Sequence, residues 1–145
     1  MGLVVLAVIC ITVGCSKNAK VSGKVTFPDG SPLTVGKVTF ETDTYSASGT
    51  LQEDGSYTIG SLSDRDGLPP GRYQVFIAGA MKQAGTKNMN VPSSGGAGQS
   101  GMSSMSMPVF VPAIASKYTK ASTSEITCDV KKSMTFDFRV EPPDS

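Results

Sequence analysis

The sequence contains no histidine and no tryptophan, and only three of its 145 residues are cysteine. Without an imidazole the chain cannot form a Ser-His-Asp or Cys-His catalytic system, and it has no histidine ligands for zinc. Without tryptophan it lacks the strongest aromatic surface for stacking against sugars or bases. These absences exclude the hydrolases and the zinc sites that depend on histidine.

Charge is also scarce, since charged residues make up 17% of the chain and the formal net charge is +1. A nucleic-acid-binding surface needs clustered positive charge, and the longest basic run is Lys131-Lys132. We therefore expect no nucleic-acid partner. With 39% apolar residues, the composition suits one folded domain rather than a disordered chain or two separate cores.

The longest uncharged apolar run lies at the N-terminus, over the 13 residues from Gly2 to Gly14. It is too short to span a membrane, which takes about 20 residues, and it matches the apolar part of a secretory signal. Small residues end the run, and Cys15 follows at once. We predict a signal peptide over residues 1–14 and a short tether over residues 15–19.

The sequence Thr12-Val13-Gly14-Cys15 resembles the lipobox of bacterial lipoproteins in its last three positions, with Thr12 where leucine is usual. The resemblance implies cleavage before Cys15, a diacylglycerol on its thiol, and an acyl chain such as palmitate on the new amino group. Two or more acyl chains hold a protein stably on a bilayer. Ser16, rather than aspartate, implies the outer membrane, facing the periplasm or the cell surface.

Two other interpretations of this segment stay open. The first is an ordinary cleaved signal that happens to contain Cys15. The second is a true start upstream of Met1, since no Lys or Arg precedes the apolar run. Cys10 leaves with the signal in any case. Cys128 falls on the apolar positions of an alternating stretch, so we expect a small buried core residue without a disulfide partner.

Apolar and polar residues alternate with a period of two through most of the remaining chain, which predicts an all-β fold. About seven short strands with one apolar face each favour an antiparallel two-sheet β-sandwich over residues 20–141. Lys131 to Ser133 would be the turn of a final hairpin. The strands are expected at residues 21–27, 37–41, 45–51, 57–59, 73–77, 126–130 and 135–140.

The stretch Pro69-Pro70-Gly71-Arg72-Tyr73 places a tyrosine directly after a Pro-Gly turn, at the start of a strand. In sandwich folds this arrangement can form a tyrosine corner, in which the phenol bonds back to upstream backbone. The alternative is a plain Pro-Gly turn followed by a core tyrosine.

Three segments, "VSGKVTFPDGSPLTVGKVTF", "GTLQEDGSYTIGSL" and "DGLPPGRYQVFIAG", together resemble the carboxypeptidase regulatory-like domains, relatives of the transthyretin sandwiches. The chain as a whole is similar to small bacterial lipoproteins that carry one such domain. The resemblance implies an accessory, non-catalytic module without a cofactor. One relative, the transthyretin-like hydroxyisourate hydrolase, has an active site that resembles a histidine-arginine cluster with a Tyr-Arg-Gly-Ser tail. This chain has no histidine and ends "EPPDS", so we predict that it is not an enzyme.

Residues 80–112 do not fit the strand pattern, because they form a 33-residue connection rich in Gly and Ser that holds five of the seven methionines. We expect a long flexible loop. We expect no metal site there, and interpret the methionines as adaptable side chains of a low-complexity segment. The alternatives are a Cu(I) site at Met102, Met105 and Met107, since thioethers select that ion, or a segment that folds onto a partner through Met107 and the apolar run that ends at Val111.

These observations predict a non-catalytic, lipid-anchored cell-envelope protein that acts as a binding or structural module. Its partners would be the membrane, through the anchor, and an envelope protein or glycan. The alternative is a carrier for a small ligand, copper or glycan, that uses the methionine-rich segment.

Overall fold

The computed structural model describes residues 18–59, 67–92 and 102–144. Within these ranges the chain forms strands and one short 3-10 helix, Ser116–Thr119, and it contains no α-helix. None of the described segments is a helix with the length and apolar character needed to cross a bilayer. The strands are β1 (Val21–Thr26), β2 (Lys37–Glu41), β3 (Ser46–Thr50), β4 (Ser56–Ile59), β5 (Gly71–Ala78), β6 (Met81–Pro92), β7 (Met102–Pro112), β8 (Thr127–Val130), β9 (Met134–Thr135) and β10 (Phe138–Arg139).

Eight of the strands make two sheets, and the other two make a separate ribbon. In the first sheet β1 pairs antiparallel with β4 on one side, and with β9 and β10 on the other. The second sheet has the order β3-β2-β5-β8, antiparallel throughout. The predicted all-β sandwich is therefore confirmed.

The predicted final hairpin is wrong. β8 pairs with β5 in the second sheet, whereas β9 and β10 run parallel to β1 in the first, so Lys131 to Ser133 carry the chain from one sheet to the other. The strands around β1 also depart from a wholly antiparallel sandwich. Alternation identifies which face of a strand is buried, but it does not identify the strand that pairs with it.

One core lies between the two sheets, built from the apolar residues of each alternating strand. Phe40 of β2 is fully buried and its ring lies 6.2 to 6.3 Å from the rings of Tyr57, Tyr73 and Phe136. Since Tyr57 and Phe136 belong to the opposite sheet, Phe40 joins the two layers. Cys128 is 2% exposed, which confirms it as a small core residue, and burial raises the pKa of its thiol.

The segment that leads from β7 to β8 closes one side of the core. Ala113, Ile114 and Ala115 are buried, as is Tyr118 in the 3-10 helix. Further on, the Ser124 hydroxyl donates to the carbonyl of Val75 in β5. β6 and β7 are therefore both joined to the sandwich at the base of the ribbon, through the buried residues Ala80 and Ala113.

Candidate functional site

The ribbon formed by β6 and β7 is the feature of the molecule that stands apart from the sandwich. Every side chain from Met81 to Asn90 and from Ser104 to Phe110 is exposed, so the sandwich covers neither face. At its base, the Ala113 amide donates to the Ala80 carbonyl at 2.8 Å. The prediction of one flexible loop over residues 80–112 is thus wrong for residues 81–92 and 102–112, while residues 93–101 lie outside the described part.

Two features of the sequence account for the error. The high Gly and Ser content between the strands is typical of a flexible linker, and it hid the alternation of "MSMPVFV" with period two. A β-bulge between Gln83 and Gly85 also breaks the alternation of β6. Gly85 has φ 149°, a backbone conformation that residues with a side chain rarely adopt, and this fits glycine at the bulge.

The register of the ribbon divides its residues between two faces, because residues directly opposite each other share a face and successive residues alternate. Met89 stands opposite Met105, and Lys87 opposite Met107. On the reverse face the Ser106 hydroxyl donates to Asn88 Oδ1 at 2.6 Å. We name the first of these the methionine face; its positions are Lys82, Gly85, Lys87 and Met89 in β6, and Met105, Met107, Val109 and Val111 in β7.

This register changes the grouping of the methionines. Met105 and Met107 share the methionine face, as their spacing predicts. Met102 stands opposite Pro92 and is separated from Met105 by an odd number of positions, so it belongs to the reverse face of the ribbon. Met89 takes its place beside Met105. Sequence reasoning missed Met89 because its proximity depends on the pairing of two strands that were not predicted.

The ribbon also has charge of one sign only. Lys82 and Lys87 are the charged residues between Ala80 and Pro112, and no Asp or Glu occurs there. Both lysines occupy positions of the methionine face. That face therefore combines apolar, polarisable side chains with positive charge.

The end of the sandwich nearest the predicted anchor is held by a compact set of backbone contacts. Ala19 and Leu68 exchange two amide-to-carbonyl hydrogen bonds, each 2.8 Å long. The Tyr73 hydroxyl donates to the Pro69 carbonyl at 2.7 Å, four residues upstream, which is the contact that defines a tyrosine corner. The Tyr45 hydroxyl donates to the Gly67 carbonyl at 2.9 Å. We call this set the anchor end; Cys15 itself lies outside the described residues.

Replacing Tyr73 with phenylalanine tests the corner. The side chain is 2% exposed, so losing its hydroxyl leaves the Pro69 carbonyl without its partner, and we expect the free energy of unfolding to fall by about 1 kcal/mol or more. Tyr45→Phe is the matched control, since Tyr45 is 37% exposed and water can replace its hydroxyl. Equal effects of the two substitutions in urea unfolding would contradict a special role for Tyr73.

The anchor end and the ribbon lie at opposite ends of β5. Leu68 comes shortly before this strand and Ala80 shortly after it, and the eight residues of β5 run through the sheet between them. At about 3.3 Å per residue, β5 separates the two ends by about 26 Å. The ribbon therefore leaves the sandwich on the side remote from Ala19.

A shallow surface depression of about 320 Å³ lies over β1 and β4, lined by backbone and by polar residues such as Lys24, Thr58 and Asp137. Asp137 Oδ1 accepts the Lys24 amide at 2.7 Å, and the Tyr57 hydroxyl is bonded to the Phe136 carbonyl at 2.6 Å. Burial raises the pKa of Tyr57 far above its usual value. These groups are occupied in structural contacts. The described residues contain no cluster of three or more His, Cys, Asp or Glu side chains able to hold a metal ion.

No protein-family model matches the chain, and no curated protein sequence matches it significantly. Among solved structures it is similar to a DUF3823 family protein from Bacteroides ovatus, with a TM-score of 0.42 and 18% identity over 86% of this chain and 45% of that one. It is also similar to a 9R-lipoxygenase from Cyanothece, with a TM-score of 0.29 and 13% identity over 97% of this chain and 18% of that one. The chain thus spans less than half of either structure, and at these TM-scores neither likeness carries an argument about function.

Proposed function

We propose that the protein is a non-catalytic, lipid-anchored module of the bacterial cell envelope whose ribbon binds a partner protein. The exposed methionine face is the observation that carries this proposal. A two-stranded ribbon alone is marginally stable in water, and contiguous exposed apolar side chains mark interaction sites. Met105 is 60% exposed, Met107 49% and Val109 39%. A partner that covers these side chains would stabilise the ribbon and bury its apolar surface.

A protein suits this surface better than a glycan. Sugar-binding surfaces rely on aromatic side chains, and Phe110 is the one aromatic residue of the ribbon. The free edge of β6 offers a further contact, because residues 81–91 contain no proline and their backbone can pair with an added strand. β7 carries Pro108 and Pro112, which lack the amide donor.

The resemblance to carboxypeptidase regulatory-like domains supports the non-catalytic part of the proposal. The segments that carry it contain β1, β4 and β5 in full and parts of β2 and β3. A chain without histidine has no imidazole for general acid–base catalysis. The sandwich then serves as a rigid support that presents the ribbon.

Site-specific photocrosslinking in the native envelope tests the ribbon as the binding surface. A photoreactive residue in place of Val109 is expected to capture a defined partner protein, and Met105→Ser together with Met107→Ser to abolish the product. The matched control places the same photoreactive residue at Ser48, an exposed position of β3. An identical product from Ser48, or none from Val109, would contradict the proposal.

The lipid anchor has its own test. In cells grown with an alkyne analogue of palmitate, the native protein is expected to carry the label and to fractionate with membranes, because two or more acyl chains make release negligible. Cys15→Ala should lose the label and leave the membrane fraction almost completely, whereas Cys10→Ala should keep both. A Cys15→Ala protein that still fractionated with membranes would show the anchor to be wrong.

A further inference from the structure

We propose that the methionine face binds one Cu(I) ion through the thioether sulfurs of Met89, Met105 and Met107. This inference names a ligand for the ribbon and rests on the proposed function only in using the same surface. It requires neither the lipid anchor nor the partner protein.

The register brings these three side chains within reach of one ion. Met89 and Met105 stand directly opposite each other, where Cβ atoms are about 4.5–5.5 Å apart, and the diagonal from Met89 to Met107 is about 7–8 Å. Methionine is unbranched and has three rotatable bonds, so its sulfur can turn toward a common point. The three side chains are 46%, 60% and 49% exposed, which leaves them free to do so.

The donor set selects the ion. Thioethers are soft, neutral ligands that favour Cu(I), whereas Mg²⁺ and Ca²⁺ prefer oxygen and Zn²⁺ prefers thiolate or imidazole. The chain has no histidine to compete, and the cysteine of the described residues, Cys128, is buried in the sandwich core. The absence of Asp and Glu from the ribbon leaves no carboxylate ligand on this face for a hard cation.

The positions of the methionines in the ribbon distinguish a binding site from a mere excess of methionine in this part of the sequence. Met81 stands opposite Pro112 and Met102 opposite Pro92, both at alternate positions to the methionine face. If the methionines bound copper independently of structure, all five would be equivalent. The register instead groups three and leaves two apart.

Lys87 is the charge closest to the site, because it stands opposite Met107 on the same face. An ammonium group there repels a bound cation. Lys87→Gln is therefore expected to strengthen Cu(I) binding by a few fold, and to do so less at high salt, where screening weakens the repulsion.

The decisive experiment is an anaerobic competition titration of the full protein with Cu(I) and a chromogenic Cu(I) chelator. The native protein is expected to bind one equivalent. Met105→Leu and Met89→Leu keep the apolar volume but remove a ligand, and should each weaken binding about tenfold or more, at least as much as the loss of an outer-shell partner. Met81→Leu is the matched control and should bind as the native protein does. No binding, or an equal loss in Met81→Leu and Met105→Leu, would overturn the site.

A second measurement needs no variant. With methyl-¹³C methionine, addition of Ag(I), a soft ion that stays monovalent in air, is expected to shift the methyl signals of Met89, Met105 and Met107. Those of Met81, Met102 and Met134 should stay in place. Shifts spread over all the ribbon methionines would contradict the grouping.

The Leu variants also distinguish the copper site from the proposed partner-binding function, since crosslinking of a partner at Val109 should survive in Met105→Leu while copper binding is lost.

Discussion

Phe40→Ala is expected to lower the free energy of unfolding by about 3–5 kcal/mol, the usual cost of removing a buried aromatic ring. Phe40 is fully buried, and its ring meets Tyr57 and Phe136 of the facing sheet and Tyr73 of its own. Removing it therefore leaves a cavity between the layers and deletes three ring contacts at once. The cavity cannot close without moving one sheet toward the other.

Equilibrium unfolding in urea, followed by tyrosine fluorescence, measures this loss. Phe110→Ala is the control, because Phe110 is 55% exposed on the ribbon and surface substitutions usually change stability by less than about 0.5 kcal/mol. If Phe110→Ala cost as much as Phe40→Ala, the ribbon would be packed against the sandwich, in conflict with the structure.

Gly23→Ala is the second substitution with a large expected effect. A Cβ atom at Gly23 would lie 1.9 Å from the Phe136 carbonyl oxygen and 2.6 Å from its carbon. That oxygen accepts the hydrogen bond of the buried Tyr57 hydroxyl, and Tyr57 stands opposite Gly23 in the register. The added methyl group must displace the segment between β9 and β10, so overpacking and a broken buried hydrogen bond add to a cost of about 3 kcal/mol.

The matched control for this prediction is Gly71→Ala. A Cβ there would meet nothing closer than Tyr73 Cε2 at 3.8 Å, an ordinary contact, and we expect little change in stability. A Gly23→Ala protein as stable as the native one in urea would mean that the segment from Met134 to Val140 does not lie beside β1. The two glycines thus test the parallel pairing that distinguishes this sandwich from the predicted one.

That pairing marks the limit of what the sequence could predict about the fold. The alternation in "VSGKVTF" and "GRYQVFI" identified the strands and their buried faces, because burial of one face imposes a period of two. The same alternation in "MTFDFRV" identified a strand there but not its partner. β9 and β10 pair with β1, more than 100 residues earlier in the chain, and no local signal reports such a contact.

The residues of the candidate site were likewise only partly predictable from the sequence. Met105 and Met107 could be grouped from their spacing alone, and Val109 and Phe110 could be named as apolar contacts. Met89 and Lys87 could not be placed, because their position follows from a long-range register interrupted by a bulge at Gly85. Low-complexity composition is typical of a flexible loop, but serine and asparagine occupy the polar face of a ribbon as readily as they occupy a loop.

The opposite placement of Ala19 and the ribbon has a consequence for where the protein could act. If Cys15 carries lipid, the tether to Ala19 is about 14 Å long at full extension, while β5 and a 12-residue ribbon strand add about 26 Å and 40 Å. These lengths set the greatest distance from the bilayer that the methionine face could reach, which is several nanometres. A partner embedded in the same membrane would contact the ribbon at that distance only through a domain that extends equally far. The length of the ribbon therefore limits which membrane proteins it can bind.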